Sequence, residues 1–130
     1  MRNITQAFLV FLLSLFCTTS IFAQNAYITN TGDSSVSVIN TKTNTVIATI
    51  PTPYPIPDAV VVSPDGSRAF ITYYANPNSV ISVINTSTNT IIKNLFLGTG
   101  GSGADGIDIS PDGSKLYYSE IGTSGDTIFV

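Results

Sequence analysis

Ser35-Val-Ser-Val-Ile-Asn-Thr-Lys-Thr-Asn-Thr-Val-Ile47 can be laid over Val80-Ile-Ser-Val-Ile-Asn-Thr-Ser-Thr-Asn-Thr-Ile-Ile92, with nine of 13 positions identical at an offset of 80 − 35 = 45. A second block, Ser63-Pro-Asp-Gly-Ser67, returns as Ser110-Pro-Asp-Gly-Ser114 at an offset of 110 − 63 = 47. Aromatic segments follow both copies, Phe70 matching Tyr117. Two blocks recurring in the same order define a tandem unit with a two-residue indel.

Within each unit the apolar residues are mostly β-branched or aromatic and come in short runs separated by turn residues. That pattern predicts strands. After the Ser-Pro-Asp-Gly turn the expected strands are 68–74, 79–85 and 90–97. A glycine-rich loop over 98–103 comes next, and a strand over 106–110 opens the following unit. Pro64 and Pro111 preset φ at the second turn position, and Asp and Gly make the bend. Asn44 and Asn89 fall in tight connections, where asparagine tolerates a left-handed conformation. Four short strands per period of about 45 residues favour β-propeller blades over a sandwich or a closed barrel.

The motifs then become specific. Tyr27-Ile28-Thr29-Asn30 differs by one conservative change from the Tyr-Val-Thr-Asn signature of the YVTN β-propeller repeats. Val38-Ile39-Asn40-Thr41, Thr43-Asn44-Thr45-Val46 and the stretch from Gly106 through Ser110-Pro-Asp-Gly113 also resemble that repeat. The resemblance covers essentially all of 26–130. The other signature copies read as degraded, Phe70-Ile-Thr-Tyr73 and Tyr117-Tyr-Ser-Glu120. It implies an all-β fold of four-stranded antiparallel blades, with the strand before each Ser-Pro-Asp-Gly innermost. In that phase the blade pieces are 26–50, 59–97 and 106–130, about two and a half blades. A ring needs roughly four to eight, so an incomplete ring is expected. The chain then reads as an N-terminal fragment whose partners include the remaining blades.

Residues 1–23 read as a secretory signal: Arg2, the apolar run from Ala7 to Phe16 interrupted by Ser14, a polar stretch, and cleavage after Ala23. The run is shorter than the roughly 20 apolar residues of a membrane span, so no span is expected once the signal is removed. Cys17 follows Phe16, where a lipoprotein site needs a small residue. Cleavage would remove the one cysteine, leaving a chain without Cys, His or Trp. Basic residues would fall from 5 to 5 − 1 = 4 against 8 acidic, moving the net charge from −3 to −4. A sparsely charged, weakly acidic surface argues against nucleic acid and anionic membrane as partners. The expected location is secreted, periplasmic or at the cell surface.

Asp58 and Asp105 coincide at the 47-residue offset, each before an expected inner strand, in loops that should face one end of the propeller channel. A ring of such carboxylates could hold a cation or a polar ligand through oxygen contacts, though two cannot fill a calcium shell of about six to eight oxygens. The competing reading is that each carboxylate bonds nearby backbone and fixes its loop. Asp108 stands inside the inner strand where Val61 stands in the other unit; there it should be hydrogen-bonded or near the channel. Asp65 and Asp112 read as turn residues. Gly101, Gly103 and Gly106 spell Gly-x-Gly-x-x-Gly, but a strand follows where nucleotide binding needs a helix.

No catalytic residues, metal ligands or cofactor are expected in this segment. The first functional reading is an exported binding or structural scaffold at the cell envelope or outside the cell. It resembles the surface-layer proteins that carry these repeats, and its partner would be a protein or cell-surface ligand. The alternative is the first part of a lactonase-like hydrolase with its acid/base residues in other blades. The usual ligands of haem and copper are missing from 24–130.

Overall fold

The computed structural model describes residues 25–74, 78–99, 101–122 and 127–129. The expected leader lies outside them. The described residues form ten strands and one short 3-10 turn, Thr31–Asp33. The strands are β1 (Asn25–Asn30), β2 (Ser35–Asn40), β3 (Thr45–Pro51), β4 (Pro57–Val62), β5 (Arg68–Tyr73), β6 (Asn78–Asn85), β7 (Thr90–Thr99), β8 (Gly101–Ile109), β9 (Leu116–Gly122) and β10 (Thr127–Phe129). No described helix is long and apolar enough to cross a membrane.

They assemble into three antiparallel sheets, ordered β1-β2-β3, β4-β5-β6-β7 and β10-β9-β8. The middle sheet is a four-stranded meander. The first has the strands equivalent to β5-β6-β7, and the third those equivalent to β4-β5-β6. The sheets pack face to face in chain order: β1 lies beside β4, and β8 lies against β4, β5 and β6.

Burial follows from that stacking. On β6, Val80, Ile81, Ser82, Val83 and Ile84 are all buried. Val80 and Ile84 join a core with Tyr27, Val36, Val38, Ala69, Ile71 and Tyr73, between the first and second sheets. Ile81 turns the other way and packs with Ala104 and Tyr118 between the second and third. A strand covered on both faces needs an unbroken apolar run, and Val80 to Ile84 supplies one apart from Ser82. Ile39, the counterpart of Ile84, is only half-buried, because the described residues place a sheet on one side of β2 alone.

Irregularities repeat with the sequence. Asn44 and Asn89 have φ of 55° and 53°, and Gly66 and Gly113 both have φ of 71°. Each outer strand carries a bulge at the same place: Val38 pairs with Ala48 but Ile39 with Val46, and Val83 pairs with Lys93 but Ile84 with Ile91. The skipped residues, Ile47 and Ile92, face solvent.

The expected glycine-rich loop is instead mostly strand. β7 runs to Thr99 and β8 begins at Gly101. Strand pairing uses the backbone alone, so glycines continue a ladder where the partner strand remains in register. Here β7 keeps pairing with β6 as far as Asn78↔Thr99, and Gly101 pairs with Gly122.

Candidate carboxyl site at the inner-strand bulges

The inner strands β4 and β8 share one defect. Pro57 pairs with Tyr73 and Val60 with Ile71, so Asp58 and Ala59 together stand opposite Thr72. On β8, Ala104 pairs with Glu120 and Ile107 with Tyr118, so Asp105 and Gly106 stand opposite Ser119. Two residues facing one is a β-bulge, which leaves a backbone group without its ladder partner and re-aims a side chain. In both sheets the opposing hydroxyl takes up the loose amide. Ala59 N–H donates to Thr72 Oγ1 at 3.1 Å, and Gly106 N–H donates to Ser119 Oγ at 2.8 Å.

Hydroxyls at the third signature position, Thr29 and Thr72, reach across to the next sheet. Thr72 Oγ1 donates to the Asp105 carbonyl at 3.0 Å, and Thr29 Oγ1 of the first sheet donates to the Asp58 carbonyl at 2.6 Å. Thr31 adds a bond to the Pro57 carbonyl at 3.0 Å. Each Asp-bearing bulge is thus tied by its carbonyl to the third residue of the preceding signature tetrapeptide.

This places the Asp58 and Asp105 carboxyls together. The sequence pattern puts both residues in loops ahead of the strands; both instead lie within β4 and β8, because the plugged bulge lets pairing continue past them. Asp58 is half-buried and Asp105 exposed. Burial, and then the Asp105 carboxyl beside it as hydrogen-bond partner and like charge, hold the Asp58 pKa above the ordinary carboxylate value. Two adjacent carboxyls resist double ionisation, and a cation placed beside them would relieve that repulsion. Asp108 takes a different course. It is exposed, and its carboxylate accepts the Ile109 N–H at 2.8 Å. It pairs opposite Tyr117, on the side of the third sheet away from the second.

The fourth signature residue also makes contacts. Asn30 Nδ2 donates to Ser37 Oγ at 2.9 Å, and Tyr73 donates to the equivalent Ser82 Oγ at 2.7 Å, which in turn donates to Asn94 Oδ1 at 2.7 Å. Burial pushes the Tyr73 phenol up to about 12, and Tyr54 stacks on its ring edge-on with centroids 5.3 Å apart. In the third sheet Glu120 accepts from Ser79 Oγ of the second. Asp65 and Asp112 serve their turns. Bonds from Ser63 and Ser67, and from Ser110 and Ser114, lower both carboxylates to about 2. Among the described residues no group of three or more His, Cys, Asp or Glu could hold a metal ion.

Solved structures share this fold, and two of them illustrate it. Hydrazine synthase of Kuenenia stuttgartiensis superposes with a TM-score of 0.72 at 23% identity over 81% of this chain and 30% of that one. The dihydro-heme d1 dehydrogenase NirN, solved in complex with DHE, gives 0.61 at 15% identity over 90% of this chain and 25% of that one. Both are β-propeller proteins. The three sheets are propeller blades. At these identities the likeness concerns fold alone, and the chain spans less than a third of either protein's length. No known family profile matches the chain, and no curated protein is significantly similar to it. In blade terms β4 and β8 are the inner strands, and Asp58 and Asp105 occupy equivalent bulges on adjacent blades.

The hydroxyl contacts are what sequence reading missed. Their signal was present: the third signature position is Thr29, Thr72 and Ser119, a hydroxyl in all three copies, while the other positions vary.

Proposed function

We propose that this chain belongs to an exported propeller of the YVTN-repeat type that serves as a binding or structural scaffold at the cell envelope or outside the cell. The Asp58–Asp105 pair would be one of its contact points. The observation carrying this reading is the convergence of two carboxyls from adjacent inner strands at bulges the backbone holds in place. The repeat pattern and the leader, with Arg2 and the apolar run from Ala7 to Phe16, support the family and the export.

The chemistry favoured at the pair is a cation. A cationic group relieves the like-charge repulsion that helps raise the Asp58 pKa. A guanidinium offers a planar fork that bonds carboxylates at two points. A metal ion would need further oxygens from its partner. The ligand feature proposed is therefore a basic side chain of a protein partner, or a cation completed by a cell-surface ligand.

Calorimetric titration with arginine amide and, separately, with calcium chloride tests this. Binding of either that is lost in Asp58→Asn/Asp105→Asn supports the reading. Unchanged binding in that variant, or no binding to the wild type, overturns it. Turnover of lactone or ester substrates abolished by the same substitutions would instead favour the hydrolase.

A further inference from the structure

One hydroxyl touches the backbone of both bulges. Thr72 Oγ1 accepts from Ala59 N–H at 3.1 Å, next to Asp58, and donates to the Asp105 carbonyl at 3.0 Å. Its side chain is fully buried, so water cannot replace either bond. We infer that Thr72 is the positioning residue of the carboxyl site: its hydroxyl bridges the two blades and sets the distance between the Asp58 and Asp105 carboxyls. This rests on the carboxyl pair being the contact point proposed above.

The oxygen receives from its own blade and gives its proton to the next, since the Asp105 carbonyl at 3.0 Å is nearer than the Ala59 carbonyl of its own blade at 3.4 Å. Thr29 makes the same donation to the Asp58 carbonyl at 2.6 Å, so Asp58 is held on two sides: at its own carbonyl by Thr29, and at the following amide by Thr72. Asp105 is held at its carbonyl by Thr72, and the amide following it by Ser119. Each carboxyl therefore stands on a bulge clamped by two hydroxyls, and Thr72 is the one member common to both clamps. Valine has nearly the shape of threonine but cannot accept from Ala59 or donate to Asp105. Serine can do both.

Burial raises the Asp58 pKa most and the Asp105 carboxyl raises it further, so the part of the Asp58 midpoint that Asp105→Asn removes reports their separation. Carboxyl footprinting by mass spectrometry from acidic to neutral pH would read it in the full chain. Asp105→Asn gives the midpoint of an unpaired Asp58. Thr72→Val is expected to move the midpoint by at least about half of the way towards that reference, since like-charge coupling weakens steeply with distance. Thr72→Ser is expected to keep the wild-type midpoint. A folded Thr72→Val protein with a wild-type midpoint overturns the inference, because a merely structural hydroxyl would alter stability and leave the pair intact. If Thr72→Val does not fold, Thr72→Ala, which removes the same hydroxyl and both of its bonds without a branched side chain, is measured in its place. A wild-type midpoint there overturns the inference equally. Loss of coupling in these variants, with no cation bound by the wild type, would uphold the positioning role and reject the binding function.

Discussion

Replacing Ile81 by alanine tests whether the second and third blades pack as described. Ile81 is fully buried, on the face of β6 turned towards Ala104 and Tyr118, with Phe70, Leu95, Leu97, Ile107 and Leu116 around it. The substitution removes three carbons, about 2.4 kcal/mol of burial at ~0.8 each. The cavity adds to this, because hydrogen-bonded sheets on both sides cannot collapse onto an alanine-sized neighbour. A total loss of about 3–4 kcal/mol is expected, inside the range of roughly 2–5 for buried Ile to Ala. With a urea slope of about 1–2 kcal/mol/M for a chain of this size, the midpoint should fall by ~2 M. Tyrosine fluorescence can follow the transition, as the chain has no tryptophan. Ile92→Ala is the control: Ile92 is 51% exposed and its loss should cost under about 0.5 kcal/mol. If Ile81→Ala costs less than about 1 kcal/mol, or no more than the control, the packing argument fails.

Four further outcomes are expected. Asp58 has a raised pKa in the folded protein, so its contribution to stability is present at low pH and lost as pH rises through the folded value. Asp58→Asn should therefore increase stability at neutral pH, as measured by thermal unfolding, while removing any cation response. Cation binding by the wild type should tighten over the same rise in pH, because the Asp58 carboxyl must lose its proton; affinity independent of pH would contradict the raised Asp58 value. Asp65 and Asp112 have folded values lowered to about 2, so their contribution holds above the unfolded value and is lost as pH falls towards 2. Asp65→Ala/Asp112→Ala should flatten that acid limb of the stability profile. Gly103, at φ 121°, occupies a conformation closed to other residues, and Gly103→Ala should destabilise by more than ~1 kcal/mol in urea titration.

Much of this fold was legible because its signals are local. The Val80 to Ile84 run, the two Ser-Pro-Asp-Gly turns and the left-handed Asn44 and Asn89 each follow from chemistry within a few residues. The 47-residue offset was also enough to single out Asp58 and Asp105 together. What the repeat did not disclose was the strand register. Asp58 and Asp105 meet because bulges on β4 and β8 aim them, and a bulge is a relation between two strands. The signature copies at 70–73 and 117–120 looked degraded because residues were compared by type. Compared by hydrogen-bonding role, the third position is a hydroxyl throughout, and the fourth supplies a polar contact as Asn30, Tyr73 and Glu120. The glycine-rich stretch misled for the opposite reason: composition suggested freedom, but the ladders from β7 to β6 and from β8 to β9 constrain its backbone.

The bulges that push Ile47 and Ile92 outward bear on how crowded copies of this protein coexist. The outer edge of a blade is a comb of amides and carbonyls that an incoming strand could zip onto. An extra residue at Ile47 or Ile92 breaks the spacing of that comb near the start of β3 and β7. A visiting strand could satisfy one side of the break or the other, never the whole length. The rim thus stays open to side-chain recognition while resisting the runaway stacking that leads to fibres.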